Sequence, residues 1–400
     1  MQRRSLLRVL GAAPLTFTPF PALAATIRKQ PAVTGLEVFR VHVNKRGDWV
    51  LPRLKAEGGL TGLGDASHGG RDADTLRYLD RFAGLLKGRS IFDIAWFRQT
   101  TLPEVLQGGL PAAVAASALE HALWDLSGQV LSLPVYALLG GRIQPRIRLY
   151  ANINRSTEPR NPDGFAHMAS RAVADGFDAV KLAPFDDMPQ GATDPATRER
   201  YTAEGVADAQ AVRDAIGPNR DLLIDAHSRF SLQEGLALLP RLDPLKLFWL
   251  EEVTPAKPLS DLATINHTAK MPTAGGENIH GVAGFYPYIR AEAVDIVMPD
   301  VKYCGGILEL KKIAALAEGA GLQTSPHGPA SPIGNMAAAH AIAGAPNFNI
   351  LEFSYGEVPW RAELVDPPED TRGGVLALSD RPGLGYKLNE KTAARYAASP

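Results

Sequence analysis

Three acidic residues stand at equal intervals in this chain. Asp225 in LLIDAH, Glu251 in LFWLEE and Glu277 in TAGGEN are each 26 residues from the next. Each closes a short apolar run of the kind that forms a buried strand. A strand, a helix and two loops fill such an interval, which is the repeat of a parallel β/α barrel. That fold gathers the C-terminal ends of successive strands at one rim, so the three carboxylates are predicted to meet there. Like charges so placed repel and resist burial unless a cation lies between them. The spacing therefore points to a metal site.

The length of 400 residues leaves room for a barrel of about 250 residues and a second module. An apolar fraction of 45% is enough to fill a large core. A formal charge of −1 and the lack of a basic stripe give no case for nucleic acid. The single cysteine, Cys304, excludes an internal disulfide and a multi-cysteine zinc site.

The first residues form a separate segment. Arg3 and Arg4 precede an uncharged stretch from Val9 that ends in Ala22-Leu23-Ala24. This resembles a twin-arginine export signal with an A-x-A cleavage site. Its apolar run is too short and too rich in proline to span a membrane. The expectation is a signal over residues 1–25 and a periplasmic mature chain; without a signal the chain would be cytoplasmic.

An α+β capping domain is expected over 26–140, completed by 355–400. LEVFRVHV (36–43) and LTGLGDA (60–66) read as strands, with polar loops NKRGDW and SHGGRDAD. Helical patterns run from Asp72 to Leu86 and from Leu110 to Val130. The (β/α) barrel is expected over 141–354. Its eight candidate strands are 147–152, 178–183, 221–227, 246–252, 273–278, 295–300, 322–327 and 349–353. Among the intervening helices, ILELKKIAALAEG carries Leu310, Ile313, Ala314 and Ala317 on one stripe, with Gly319 as a C-terminal cap. The longest gap follows DAVKLA, and its PFDDMPQGATDPATRERY segment reads as an extra active-site loop. The Gly- and Pro-rich tail from Ser354 is expected to return to the first domain.

Chemistry in such a barrel lies at the strand ends. In order these offer Asn152, Lys181, Asp225 with His227, Glu251 with Glu252, Glu277, Asp300, His327 and Glu352. Three oxygen ligands without cysteine or clustered histidine favour Mg²⁺, or Mn²⁺. His327 is the best base. Asp300, ending the preceding strand, could orient its ring or cap the next helix. His227 lies two residues after Asp225, which strand periodicity would place on the same face. Since Mg²⁺ takes imidazole poorly, His227 reads better as an acid than as a ligand. Lys181 offers positive charge to a substrate carboxylate or an ion pair to a rim acid. Arg46, Trp49, His68 and Arg71 lie in the polar loops of the first domain, either as substrate contacts or as ordinary surface residues.

Taken together, HALWDLSGQVLSLPVYALLGGR, the three spaced acids, MPDVKYCGG, SPH, ILEF and GLGYKLNE resemble the mandelate racemase subgroup of the enolase superfamily. The resemblance covers nearly everything after the signal. It implies a capping domain closed over a modified barrel, Mg²⁺, and removal of the proton alpha to a carboxylate. It implies Asp225, Glu251 and Glu277 as metal ligands, with Glu252 a neighbour of the set. It implies Asp300 and His327 as the base dyad, and Glu352 as the acid that hydrogen-bonds the intermediate. Lys181 matches the first lysine of the family's Lys-x-Lys pair. The second is Ala183 here, where a racemase carries its opposite-face base.

DAH at 225–227 is similar to the third-strand histidine motif of galactonate- and mannonate-type dehydratases, in which the histidine protonates the departing hydroxyl. The pattern thus implies a dehydratase of an aldonic or aldaric acid, giving a 2-keto-3-deoxy product. Lys181, Asn152 and Glu352 are expected to contact the substrate. The rival readings are a racemase or epimerase of a carboxylate, and a non-catalytic periplasmic sugar-acid binding protein. Association into homo-oligomers is a further implication of the resemblance.

Overall fold

The computed structural model describes residues 30–398 except Arg46, Gly69 and Arg71. The export signal expected over 1–25 lies outside the described residues, as do Arg46 and Arg71.

The chain begins with an antiparallel sheet in the order β1 (Val33–Asn44), β2 (Gly47–Ala56), β3 (Thr61–Leu63). Three helices pack on it: α1 (Asp72–Leu86), α2 (Ile94–Gly108) and α3 (Leu110–Leu131). Val50, Leu54, Leu79, Phe82, Phe97, Leu119 and Leu123 share their apolar core. Two elements differ from expectation. The NKRGDW segment is not a loop throughout, because β1 includes Asn44 and β2 starts at Gly47; the polar and proline residues of β2 hide the buried Trp49, Val50, Leu51 and Leu54. Helix α2 went unread because Pro103 and weak periodicity mask its buried Phe97 and Val105.

A short helix α4 (Val135–Leu138) leads into the barrel. Its elements run β4 (Arg146–Asn152), α5 (Pro162–Ala174), β5 (Ala179–Leu182), α6 (Pro195–Ile216), β6 (Asp221–Asp225), α7 (Leu232–Leu242), β7 (Trp249–Glu251) and α8 (Leu259–Thr268). They continue with β8 (Thr273–Gly275), α9 (Gly281–Arg290), β9 (Ile296–Val297), α10 (Ile307–Gly319), β10 (Gln323–Thr324), α11 (Pro332–Ile342) and β11 (Leu351–Ser354). The eight strands pair in parallel in the order β10-β9-β8-β7-β6-β5-β4-β11. A parallel bridge between Thr324 and Phe348, with Asn349 N–H donating to Thr324 O at 3.0 Å, links the two ends. After β11 comes a 3-10 turn at Arg361–Leu364 rather than a long barrel helix, so the ring is a modified barrel under a cap.

Strand periodicity explains where the chemistry lands. On β4, Ile147, Leu149 and Ala151 pack outward against helices while Tyr150 points inward. The same alternation sends Ala179, Leu223, Trp249, Ala274, Ile296 and Ile350 into the barrel interior. Two residues beyond these inward residues come Asn152, Lys181, Asp225, Glu251 and Glu352. The apolar layer is therefore the floor of the site, and the polar residues are the next layer up.

Three local expectations are corrected. Most strands stop short of the predicted runs, because pairing ends where the chain splays toward the rim; β8 ends at Gly275 and β10 at Thr324. The proposed loop after β5 ends at Asp194, whose side chain accepts from Thr197 N–H and starts α6. Gly319 does not cap α10, which runs through it; Gly321, at φ +77°, takes the left-handed turn.

The tail carries β12 (Val365–Asp366), β13 (Val375–Ala377), β14 (Lys387–Leu388) and α12 (Glu390–Arg395). β13 pairs antiparallel with β4, and Ala398 N–H donates to Arg40 O on β1 at 3.0 Å. Cap and barrel are joined by buried carboxylates. Asp65 accepts from Ser331 N–H and Oγ–H at the start of α11, and Glu120 accepts from Ile307 and Leu308 N–H at the start of α10. Helix N-termini favour negative charge at such points. Among the described residues no helix is long and apolar enough to cross a membrane.

Candidate active site

The barrel mouth opens into a cavity of about 220 Å³ under the cap. Asn152, Lys181, Asp225, His227, Glu277, His327 and Glu352 line it.

The three evenly spaced acids do converge. One carboxylate oxygen from each of Asp225, Glu251 and Glu277 lies within 4.8 Å of the other two. Asp225 and Glu251 are register partners on adjacent strands. Glu277 arrives differently: β8 has ended, and Gly276 at φ +102° turns the chain so that Glu277 faces the cavity. Its Oε2 is buried and makes no well-aligned hydrogen bond, although His327 Nε2 is 3.1 Å away. A buried carboxylate oxygen left over in a cluster of acids suits a hard cation. The residues present therefore fit a divalent ion such as Mg²⁺.

Lys181 stands among these acids. It is 2% exposed, and its Nζ lies 3.0 Å from Glu251 Oε2, 3.4 Å from Glu352 Oε1 and 3.7 Å from Asp225 Oδ2. Burial would lower its pKa, but the surrounding carboxylates outweigh burial and hold it well above the usual range. Of the two readings of Lys181, the ion pair is the one present. Glu251 is further fixed by Trp249 Nε1–H at 3.1 Å. Glu252 points elsewhere; its Oε1 lies 3.5 Å from Gly276 N–H, and burial with nearby Glu277 raises it to about 8.

His327 and Asp300 form a buried pair, with Nδ1 2.7 Å from Asp300 Oδ2. Asp300 is not a helix cap. Its Oδ1 accepts from Lys302 N–H and its Oδ2 lies 3.2 Å from Lys302 Nζ. The pairing leaves His327 Nε2 toward Glu277 and the cavity. Burial lowers His327, yet the charges of Glu277, Glu352 and Asp300 prevail and raise it to about 9. The cap braces this arrangement, since the His121 ring nitrogen Nε2 meets Val301 O at 3.1 Å.

A second Asp–His pair brings its ring to the same cavity. His227 Nδ1 hydrogen-bonds Asp186, and Nε2 lies 2.9 Å from Asp225 Oδ2. Strand alternation is not what brings Asp225 and His227 together, because β6 ends at Asp225 and His227 sits at φ +44°. A left-handed turn returns the ring to Asp225, and the His227 N–H donates to Asp225 Oδ1 at 2.8 Å. Burial lowers His227, but the charges and hydrogen bonds of Asp225 and Asp186 raise it to about 12. Both carboxylates thus favour the protonated ring.

Glu352 accepts from Asn152 Nδ2 at 2.6 Å and from Gly328 N–H at 2.9 Å. Burial raises its pKa, but Lys181, His327 and these donors more than offset that, leaving it below the usual carboxylate range. In this state it accepts hydrogen bonds and donates none, unlike the acid expected at this position.

Of the first-domain residues, Trp49 is on β2 rather than in a loop and is buried against Trp360. His68 lines the cavity and meets Thr75 Oγ1 at 2.8 Å. Asp186, Arg155, Lys302 and Asn278 were missed in the sequence. Asp186 lay in the flagged loop after β5, Lys302 within the quoted MPDVKYCGG and Asn278 at the end of TAGGEN; Arg155, just past β4, carried no signal of its own.

Residues 164–392 match the family described as enolase C-terminal domain-like, and residues 24–140 match the mandelate racemase / muconate lactonizing enzyme N-terminal domain. The chain is 31% identical to the D-xylonate dehydratase of Haloferax volcanii over 85% of its length and 83% of the relative's. It is 32% identical to a D-galactonate dehydratase family member from Streptomyces bingchenggensis, covering 88% and 90%. A crystal structure of a mandelate racemase/muconate lactonizing enzyme-like protein from Rubrobacter xylanophilus superposes with a TM-score of 0.85 at 32% identity, covering 93% and 98%.

Proposed function

Because this chain belongs to the mandelate racemase/muconate lactonizing enzyme family of enolase-like proteins, we propose that it is a hydro-lyase that dehydrates sugar acids. One observation carries this reading. Two histidines, His327 held by Asp300 and His227 held by Asp186, line one cavity that also holds a cluster of acids, and Ala183 stands where a second lysine base would be. The named activities of the Haloferax and Streptomyces relatives support the same reaction class.

Asp225, Glu251 and Glu277 would hold Mg²⁺, or Mn²⁺. When bound, such an ion supplies Lewis-acid polarisation of the substrate carboxylate. The protein's own residues do the rest. Lys181 offers positive charge where negative charge develops. His327, oriented by Asp300, takes the C2 proton on Nε2. His227 gives its Nε2 proton to the departing C3 hydroxyl, so water leaves and the C2–C3 enol forms. The enol then tautomerises to a 2-keto-3-deoxy acid. Glu352 starts ionised; an arriving carboxylate raises its pKa, the direction that lets it donate to the enediolate oxygen. Asn152, fixed by Glu352, orients the carboxylate end.

Purified protein with Mg²⁺, screened against a sugar-acid library for 2-keto acid, tests the proposal. Turnover that stops with EDTA supports it and excludes a non-catalytic binding protein. Exchange of the C2 proton in D₂O without keto-acid would favour the racemase or epimerase. Ala183, at the position where a racemase carries its opposite-face lysine, speaks against that rival, which needs a second base. A periplasmic location rests on Arg3, Arg4 and the A-x-A pattern, and fractionation of cells tests it.

A further inference from the structure

Beside the catalytic cavity lies a smaller one of about 30 Å³, which shares His68, Arg155, Tyr303 and Pro329 with it. The cap contributes Asn44, Asp48, Trp49 and Ser67, and the segment after β11 contributes Glu357. Arg155 Nη1 donates to Glu357 Oε1 at 3.0 Å. Glu357 Oε2 is buried with no partner, on a side chain only 1% exposed. Asp48 is engaged by Arg40 and His42. Among the described residues, this end of the site presents two carboxylates and a guanidinium that is already paired.

We propose that this recess is the subsite for the far end of the substrate chain, and that Glu357 and Asp48 select aldonic acids over aldaric acids. The proposal rests on the sugar-acid reading above. With C1 near Lys181, C2 near His327 and C3 near His227, the later carbons extend toward the cap. A terminal hydroxymethyl group suits the recess in three ways. Its O–H has a waiting acceptor in Glu357 Oε2, its lone pairs meet Arg155, and a space of this size takes a group near the size of water. A second carboxylate would face Glu357 Oε2 with no proton to give, in surroundings where like charges repel strongly. Opposed charges of this kind are how a site rejects a near relative of its substrate.

The test compares kcat/KM for matched pairs: gluconate with glucarate, galactonate with galactarate, xylonate with xylarate. The aldonate is expected to win by about 100-fold or more in any pair that reacts, the scale of a buried like-charge clash. Glu357→Gln is expected to narrow that ratio at least tenfold. Should Glu357→Gln fail to fold, Asp48→Asn is expected to narrow it in the same direction. An aldarate turned over as well as its aldonate, or a ratio unmoved in the folded variants, overturns the assignment. Absence of dehydration with every pair instead overturns the parent reading.

Discussion

Asp186 holds one nitrogen of the His227 ring while the other faces Asp225 at 2.9 Å, so the imidazole has a single orientation. Asp186 is itself tied to Asn154 Nδ2 at 2.9 Å, and Phe185 beside it packs edge-on to Phe230. Asp186→Ala should therefore release the ring without touching the Asp300–His327 pair. Dehydration is expected to fall about 10- to 100-fold, as when the outer partner of a working histidine is lost. Exchange of the C2 proton in D₂O, followed by NMR, should change much less. Equal loss of both would mean that Asp186 only holds the loop together.

The two histidines should separate in the same assay. His327→Asn is expected to abolish exchange and keto-acid formation together, by at least about 100-fold, the usual share of general base catalysis. His227→Asn should lose keto-acid formation and keep exchange. Exchange that survives in His327→Asn would remove His327 as the base.

Cation binding should change protonation as well as charge. Glu277 is the leading charge that raises His327, so a divalent ion on Glu277 would lower the ring's pKa. Mg²⁺ binding near pH 8 is therefore expected to release protons. Calorimetry in buffers of different ionisation heat measures that release directly. Glu277→Gln should weaken binding and reduce proton release; Mg²⁺ uptake with no proton change would contradict the coupling.

Stability should fall on mild acidification. His340 is fully buried, with Nδ1 accepting from Tyr136 N–H and Nε2 meeting Leu384 O. Burial lowers its pKa to about 4, so the folded chain keeps it neutral while the unfolded chain protonates it near 6.5. Its stabilising contribution is present above pH 6.5 and is lost as pH falls toward 4, about 3 kcal/mol in all. His121 is lowered by burial in the same direction. Urea midpoints should drop across that window, and His340→Gln should flatten the slope.

The barrel and its rim were legible because strand periodicity acts within a few residues. Once Leu223 and Trp249 are placed inward, Asp225 and Glu251 must follow on the same face. Glu277 was found by its spacing, although the Gly276 turn rather than alternation aims it. His227 was assigned to the right neighbour by a geometry the chain does not use. What stayed hidden were partners set by contacts between distant segments. Asp186 meets His227 across 41 positions, and Arg155 meets Glu357 across 202. A buried strand such as β2 was missed because one proline and several charges concealed its apolar face.

Trp49, which walls the small recess, packs edge-on against Trp360, and Trp360 stacks on Tyr396 at 4.2 Å. Three rings thus connect the chain's last helix to the chamber where the substrate's tail would rest. Proteolytic trimming of a few residues around Tyr396 would leave the carboxylates, the lysine and both histidines untouched. Its mark would instead be a less discriminating catalyst, one that errs over which molecule it accepts before it errs over what it does to it.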